Sequence, residues 1–284
     1  MLKQRVITAI IIAAAFISAL LFLSPYSFSL MMAVVVIYAA WEWSDLSSIS
    51  NKAIRLLYAL SVAGLLVLFG YALGLTIPIS RPGPLNLDTS KSLMAWLAPW
   101  WAIALLWVQG YPSSAVIWGS CWIRGVLGYL VLVPAWLALV ILIHDTQGAW
   151  LIFFVVLIVA LADIGAYFSG RKFGKHKLAS NVSPKKTWEG LFGGVATNIL
   201  LVVVLGVFLK LDSDQWLILL GLVMITVLAS VLGDLLESMI KRHRGIKDSG
   251  NILPGHGGIL DRLDSLTAAL PVFTLVFIYS NFQL

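Results

Sequence analysis

Charged residues are scarce in this chain, and cysteine is almost absent. Asp, Glu, Lys and Arg make up 11% of the 284 residues, whereas a soluble domain carries about a quarter. The single cysteine, Cys121, excludes an intrachain disulfide and a zinc cluster built on cysteines. The sequence also lacks a repeat of fixed period and a low-complexity linker between soluble domains. These deficits argue against a soluble globular protein.

Hydrophobic residues dominate instead. They form 60% of the chain, and the mean hydropathy is +0.96. A helix needs about twenty apolar residues to cross the hydrocarbon core, so we predict an all-α, polytopic integral membrane protein with about nine transmembrane helices. The predicted spans are 6–24, 27–43, 56–79, 94–110, 112–124 joined to or followed by 126–143, 149–169, 190–209, 215–235 and 265–282.

The region from Tyr111 to Ile143 does not divide cleanly into spans. It is too long for one span, and Arg124 and Gly125 interrupt it. Irregular backbone at membrane depth is tolerated only where protein or water provides hydrogen bonds for its N–H and C=O groups. We therefore predict a short interfacial or re-entrant piece followed by one true span. The first apolar run resembles a signal peptide, but no convincing cleavage site precedes Pro25, which favours a retained anchor.

Basic residues are concentrated in two loops, at 170–189 and 236–264. Two predicted spans separate these loops, so both should lie on the same side of the membrane. Lys and Arg are enriched in cytoplasmic loops, which predicts a multi-pass protein of the cytoplasmic (inner) membrane with both loops facing the cytoplasm. The net charge is +6, but the cations lie between apolar spans. Anionic lipids and nucleotide phosphates are therefore the expected partners, and nucleic acid is not.

The residues that suggest chemistry lie almost entirely in the second half of the chain. We therefore divide the sequence into N-terminal transmembrane helices, 1–143, and a C-terminal region with the candidate catalytic residues, 144–284. In the first half, Glu42 and Asp45 lie near a span end, and we interpret them as neighbours of the membrane boundary rather than as ligands. In the second half, Asp163 lies within an apolar run, where a carboxylate is costly; this favours a functional role over a structural ion pair.

The densest group of charges lies between Gly233 and Ser265, which contains ten of the thirty-two charged side chains. Carboxylates stand at both ends of this stretch, and cations and glycines lie between them. Carboxylates bind divalent cations and basic side chains bind phosphate oxygens, so the stretch predicts metal-assisted phosphoryl or nucleotidyl transfer. Topology alone would explain the basic residues but not the acidic ones. The candidates are Asp234, Ser238, Lys241, Arg242, Lys247, Asp248, His256, Gly257, Gly258, Asp261, Arg262 and Asp264.

A second group of polar residues precedes the span at 190–209. Ser183 could cap a helix, with Pro184 in its first turn. Lys185, Lys186 and Thr187 would then present two cations, a hydroxyl and free N–H groups at the N-terminus of that helix. This arrangement predicts an anion site.

Three segments near the C-terminus carry a family resemblance. They are Ser238-x-x-Lys241-Arg242, Lys247-Asp248 and Pro254-x-His256-Gly257-Gly258-x-x-Asp261-Arg262-x-Asp264. The pattern resembles the signature of the bacterial phosphatidate cytidylyltransferases, also called CDP-diglyceride synthetases. Length and predicted spans extend the resemblance over the whole chain. It implies transfer of CMP from CTP to phosphatidic acid in phospholipid biosynthesis, giving CDP-diacylglycerol and pyrophosphate.

This interpretation assigns roles to the candidates. Asp234 and Asp261 are the first-choice ligands for Mg²⁺, and Asp248 and Asp264 are the second choices. One or two divalent cations are expected, and a monovalent cation is compatible with the site. His256 would position a phosphate or the loop. The phosphate-binding residues would be Lys241, Arg242, Lys247, Lys185 and Lys186. The expected partners are CTP, phosphatidic acid and membrane lipids, and the chain could form a homodimer.

Two alternatives remain open at this point. A CTP-dependent lipid kinase would use similar chemistry but would transfer the γ-phosphoryl group and release CDP rather than pyrophosphate. An ion-coupled transporter could also place Asp163 and Asp234 at membrane depth, and it would move its substrate without consuming CTP. A transporter would place polar residues near the membrane midplane, between paired repeats. Here the charge is dense in two loops on one side, so transport is the weaker alternative.

Overall fold

The computed structural model describes residues 2–75, 85–253 and 255–280, without the side chains of 2–6 and 97–99. These residues form ten helices and one β-hairpin. In chain order the elements are α1 (Leu2–Phe22), α2 (Pro25–Leu46), α3 (Lys52–Ala72), α4 (Leu87–Gln109), α5 (Ala115–Trp118), α6 (Cys121–Ile143), α7 (Gly148–Phe173), β1 (Lys177–Ala179), β2 (Ser183–Thr187), α8 (Trp188–Phe208), α9 (Ser213–Arg244) and α10 (Leu260–Ser280).

Eight helices in the described part of the chain are long and apolar enough to cross a membrane, namely α2 to α4 and α6 to α10. The helix α1 adds a shorter apolar stretch, Ile7–Phe22. Together they correspond to the nine predicted spans and confirm the polytopic all-α class. The ends of two predicted spans, at 76–79 and 281–282, lie outside the described residues.

The region after Tyr111 folds as predicted, with a short piece before one true span. The four-residue helix α5 comes first, and α6 follows. However, α6 begins earlier than predicted, and Arg124 lies inside it. The Arg124 guanidinium is buried and donates hydrogen bonds to the Leu46 carbonyl oxygen at 2.7 Å and to Ser48 Oγ at 3.0 Å. Hydrogen bonds to the end of α2 and to the turn after it thus accommodate Arg124 within the helix, where the sequence suggested a break.

Close helix packing explains two of the glycines. A Cβ atom at Gly194 of α8 would lie 2.7 Å from the carbonyl oxygen of Ala162 in α7. A Cβ atom at Gly233 of α9 would lie 2.5 Å from the carbonyl oxygen of Asp264 in α10. Neither separation is sterically accessible to a side chain, so both glycines allow the helices to pack closely.

The predicted helix start at Ser183 is wrong. Ser183–Thr187 forms strand β2, which pairs antiparallel with β1, with Ala179 opposite Ser183 and Lys177 opposite Thr187. Pairing of the two strands provides hydrogen-bond partners for backbone N–H and C=O groups that a helix would otherwise pair within itself. Helix α8 begins at Trp188 instead, and its N-cap is Thr187, whose hydroxyl accepts a hydrogen bond from the Gly190 N–H at 3.1 Å.

The two basic loops lie at the same end of the helix bundle, as predicted. Arg242 Nε, at the end of α9, donates a hydrogen bond to the Val182 carbonyl oxygen in the hairpin at 3.3 Å. Arg244 Nε donates to the Asp45 carbonyl oxygen at the end of α2 at 3.0 Å. This end of the bundle therefore brings residues from distant parts of the sequence together.

Candidate active site

The loop between α9 and α10 turns sharply because a glycine ends α9. Gly245 has a φ of 79°, a left-handed conformation that favours glycine. Its N–H donates to the Arg242 carbonyl oxygen, and the Ile246 N–H donates to that of Lys241. The loop, residues 245–259, then returns to α10. We call it the signature loop, because it carries half of the positions of the family pattern.

Asp261, in the first turn of α10, holds the signature loop in place. One carboxylate oxygen accepts a hydrogen bond from Lys241 Nζ at 2.7 Å. The other accepts from the backbone N–H groups of Ser249 and Gly258, both at 2.8 Å, and from Ser249 Oγ at 3.1 Å. A Cβ atom at Gly257 would collide with this carboxylate. Four donors from the protein thus occupy the group predicted as a first-choice metal ligand.

Lys241 is also engaged by the protein. Its side chain is 9% exposed and lies between Asp261 and Glu237, whose Oε1 accepts a hydrogen bond from Nζ at 3.0 Å. Burial of a cation is costly unless carboxylates compensate it, and here two carboxylates do so. A phosphate would have to compete with both for this ammonium. The site therefore favours a positioning role for Lys241 over its predicted contact with phosphate.

Glu42 of α2 is a site residue that the sequence interpretation missed. Its carboxylate is buried and accepts hydrogen bonds from the Ile259 and Leu260 N–H groups at 3.1 and 2.9 Å, and from Ser249 Oγ at 3.1 Å. A Cβ atom at Gly258 would lie 2.5 Å from Glu42 Oε2. Glu42 thus caps the start of α10 from another helix.

Glu42 does lie near the end of α2, as interpreted, but its hydrogen bonds to the signature loop and to α10 were not predicted. A carboxylate between two tryptophans in an apolar span was the available signal, since such a group is costly unless it is paired. Asp45, by contrast, makes looser ion pairs with Arg55 at 3.8 Å and Arg244 at 3.7 Å. It lies at the span end without entering the site.

Asp234 and Lys186 join the two predicted groups of residues. Lys186 Nζ, on strand β2, lies 2.5 Å from Asp234 Oδ2 on α9, and both side chains are about a quarter exposed. The hydroxyl of Ser238 donates to Asp234 Oδ1 at 3.1 Å. Asp163 of α7 interacts electrostatically with both partners of this ion pair. The hairpin and α9 therefore contribute to one site.

A cavity of about 380 Å³ opens beside this ion pair, between α7, α8, α9 and the hairpin. Its wall carries three cations, Arg171, Lys185 and Lys186, and the carboxylate of Asp163. Farther along α9 the wall becomes apolar. We call this the phosphate pocket, because three cations around a concave space suit a polyanionic group.

The α9–α10 junction carries more carboxylates than cations. Close packing at Gly233 places Asp264 within electrostatic range of Asp234 and Glu237. In the described part of the chain, the ammonium groups of Lys186 and Lys241 form ion pairs with Asp234, Glu237 and Asp261, and Asp264 has no ion pair. Such an excess of carboxylate is costly without a further cation.

The carboxylate oxygens at the α9–α10 junction suit a hard divalent cation such as Mg²⁺, which prefers oxygen ligands. The described residues contain no preformed group of three or more His, Cys, Asp and Glu side chains for a metal ion. Magnesium requires none, because it is usually held by one or two carboxylates together with waters and substrate phosphates. Asp234 and Asp264 have fewer protein partners than Asp261 and fit this role better.

The remaining candidates lie around the signature loop. Arg262 donates a hydrogen bond to the His256 carbonyl oxygen at 3.0 Å, and the buried His256 Nδ1 has no hydrogen-bond partner among the described residues. Lys247 and Asp248 are exposed at the surface of the loop. The predicted contacts of these four residues with substrate stay predictions. Pro254 of the family pattern lies outside the described residues.

Comparison with known proteins agrees with the resemblance. The sequence model of the cytidylyltransferase family matches residues 3–280. The phosphatidate cytidylyltransferase of Pseudomonas aeruginosa is 42% identical over 273 residues, which are 96% of each chain. That of Haemophilus influenzae is 39% identical over 291 residues, covering 98% of this chain and 99% of the relative. That of Staphylococcus epidermidis is 50% identical over 133 residues, 47% of this chain and 51% of the relative. On this coverage, the chain belongs to the cytidylyltransferase family.

Proposed function

We propose that this protein is a phosphatidate cytidylyltransferase. It transfers CMP from CTP to phosphatidic acid and releases pyrophosphate, leaving CDP-diacylglycerol in the membrane. The observation that carries the proposal is the Lys186–Asp234 ion pair, which joins a cation-lined pocket to the carboxylate-rich junction of α9 and α10 within a membrane-spanning bundle. The names of the relatives identify the same substrates.

The reaction needs little acid–base help from the protein. A phosphate monoester is mostly dianionic near neutral pH, so a phosphatidate oxygen can attack the α-phosphorus of CTP directly. The new O–P bond forms as the bond from the α-phosphorus to the bridging oxygen breaks, and pyrophosphate leaves with the electron pair. The site must therefore neutralise phosphate charge and align the two substrates.

Residues of the phosphate pocket supply the charge and the alignment. Arg171, Lys185 and Lys186 line it and would bind phosphate oxygens. Asp234 forms an ion pair with the Lys186 ammonium and fixes its position, and Asp163 interacts with it electrostatically. The Thr187 hydroxyl, which caps α8, holds the start of that helix against the pocket. Strand pairing of Ser183 with Ala179 fixes the hairpin that carries both lysines.

One or two divalent cations, with Mg²⁺ the expected ion, would add neutralisation of the triphosphate when bound. Asp234 and Asp264 would hold them, Asp261 would keep the loop in place, and a monovalent cation could balance the remaining carboxylate charge. We further propose that the protein resides in the cytoplasmic membrane, with the hairpin and signature loop in the cytoplasm, where CTP is available. A homodimer stays a prediction.

Product analysis tests the proposal. Purified protein is incubated with phosphatidate, magnesium and CTP labelled in the cytidine, and the products are separated. We expect one pyrophosphate for each CDP-diacylglycerol formed. Release of CDP with a phosphorylated lipid would indicate a kinase instead. Absence of CTP turnover, combined with substrate flux in proteoliposomes, would indicate a transporter.

A further inference from the structure

A second and larger cavity lies beside the phosphate pocket. It has a volume of about 760 Å³ and runs between α4 and α8, with α9 and α10 beneath it. In the membrane-spanning part its walls are apolar, and they include Leu105 of α4, Leu228 of α9 and Leu275 of α10. We call this cavity the lateral groove. Its volume lies within the range of about 300–1,000 Å³ typical of sites for small molecules.

The polarity of the lateral groove changes along its length. The hairpin end includes the polar or charged residues Gln109, Lys177 and Asn181. The Asn181 side-chain amide donates a hydrogen bond to the Tyr111 carbonyl oxygen at 3.2 Å, which holds the hairpin over this end. The other end is lined by aliphatic side chains and Trp101 and carries no charged side chain among the described residues. Such a gradient matches a lipid, whose head is polar and whose chains are not.

The length of the groove matches one leaflet of a bilayer. Both Ile225 and Leu235 of α9 line it, and at 1.5 Å per residue they are about 15 Å apart along the helix. The hydrocarbon core of a bilayer is about 30 Å thick. A chain lying in the groove with its head at the hairpin would therefore end near the middle of the membrane.

The lateral groove and the phosphate pocket share a wall. Leu178 of the hairpin, Leu191 of α8 and Val231 of α9 line both cavities. A molecule with an anionic head beside Lys185 and Lys186 could therefore extend its alkyl chain past these three side chains into the groove. A soluble nucleotide has no chain to place there.

We propose that the lateral groove binds an acyl chain of the phosphatidate substrate, and that Leu178, Leu191 and Val231 form the passage between its head and its chain. This inference rests on the proposed function. An acyl chain gains little hydrophobic free energy by moving from lipid to an apolar groove. The groove therefore aligns the phosphate with CTP rather than supplying most of the affinity.

A bulkier side chain in the membrane-spanning part of the lateral groove tests this inference. Leu228 is 53% exposed, so Leu228→Trp fills the groove without overpacking the core. Leu217→Trp is the matched control: it lies on the same helix, 72% exposed, and does not line the groove. Leu105→Trp, on the α4 wall, provides a second test if Leu228→Trp folds poorly. Turnover is measured in mixed micelles with dioleoyl-phosphatidate and with dihexanoyl-phosphatidate.

Misplacement of a substrate by an ångström can reduce the rate about a hundredfold, so we expect kcat/KM for dioleoyl-phosphatidate to fall about tenfold or more in Leu228→Trp. The short-chain substrate does not reach Leu228, so its kcat/KM and the KM for CTP should be unchanged, as should every constant of Leu217→Trp. No loss, or equal loss with both lipids, would overturn the groove assignment. An inactive wild-type protein would instead overturn the proposed function.

A binding measurement separates phosphatidate from bulk lipid. Phosphatidate with a photoreactive group in its acyl chain is irradiated with the protein, and the labelled residues are mapped. We expect labelling on the groove-facing residues of α4 and α9, suppressed by unlabelled phosphatidate and not by phosphatidylcholine. Equal suppression by both lipids would show that the groove holds bulk lipid only.

Discussion

At the scale of single residues, Lys241 shows how neighbours decide the role of a charge. The family pattern suggests a phosphate ligand, yet its ammonium contacts two buried carboxylates, Glu237 and Asp261. Lys186, also basic, is three times as exposed, at 27% against 9%, and lines the phosphate pocket. The two lysines should therefore respond differently to substitution.

Lys241→Met should destabilise the fold as well as reduce activity. It keeps the length of the side chain but leaves Glu237 and Asp261 without their cation, and removal of one partner from a buried pair costs about 3–5 kcal/mol. Thermal unfolding in detergent measures this loss. Lys185→Ala is the control, since that exposed side chain lines the pocket without an ion pair among the described residues. A Lys241→Met protein with unchanged Tm and a raised KM for CTP would make Lys241 a phosphate ligand after all.

At the scale of elements, the spacing of residues along the sequence indicates which side chains lie close together within one helix. It does not indicate which side chains of two different helices are in contact. The spacing of Asp234, Ser238 and Lys241 is that of one helical face. All three lie on α9, and a hydrogen bond joins the first two. The contact between Glu42 and Leu260 joins residues more than two hundred positions apart. Sequence periodicity carries no information about such pairs, because it reports only neighbours along one element.

The hairpin shows a second limit of sequence reasoning. Ser183 and Thr187 are both acceptable helix caps by residue type, and pairing with Lys177–Ala179 decides between them. The membrane spans were predictable because each needs only a long apolar run. The short segments at the end of the bundle were not, since their conformation depends on partners from other elements.

Glu42→Gln should loosen the signature loop. The substitution keeps the shape of the side chain but leaves one carbonyl oxygen where two carboxylate oxygens accept three hydrogen bonds. Loss of charged acceptors at buried N–H groups costs about 1–3 kcal/mol. We expect a lower Tm, faster proteolysis within 245–259 and reduced kcat.

Asp45→Asn provides the matched comparison for Glu42→Gln. It removes a carboxylate from the same helix, but one that is 32% exposed and makes longer ion pairs. Such surface pairs contribute about 0–1 kcal/mol, so its stability and proteolysis should stay near wild type. Identical behaviour of the two variants would remove Glu42 from the site.

At the scale of the whole molecule, the charges collect at one end of an apolar bundle. The hairpin, the ends of α2 and α9, and the signature loop all meet there. The turn between α8 and α9 is separated by one helix from the hairpin and by one helix from the signature loop, so it joins the opposite ends of α8 and α9. This asymmetry predicts a single orientation in the membrane.

Cysteine labelling tests that orientation. In a Cys121→Ser background, cysteines at Lys177 and Arg244 should react with an impermeant thiol reagent only from the cytoplasmic side. A cysteine at Asp214, which is exposed in the first turn of α9, should react only from the opposite side. Labelling of Lys177→Cys in intact cells would reverse the predicted orientation.

The ion pair between Lys186 of the hairpin and Asp234 of α9 joins the two parts of the site. A double-mutant cycle tests this most directly. The rate of pyrophosphate release from CTP and phosphatidate is measured for wild type, Lys186→Ala, Asp234→Asn and the double variant. Residues that act as a unit are strongly non-additive. We predict that each single change reduces the rate by orders of magnitude and that the double variant is no slower than the slower single one. Losses that multiply in the double variant would show that the two residues act independently and would contradict the account.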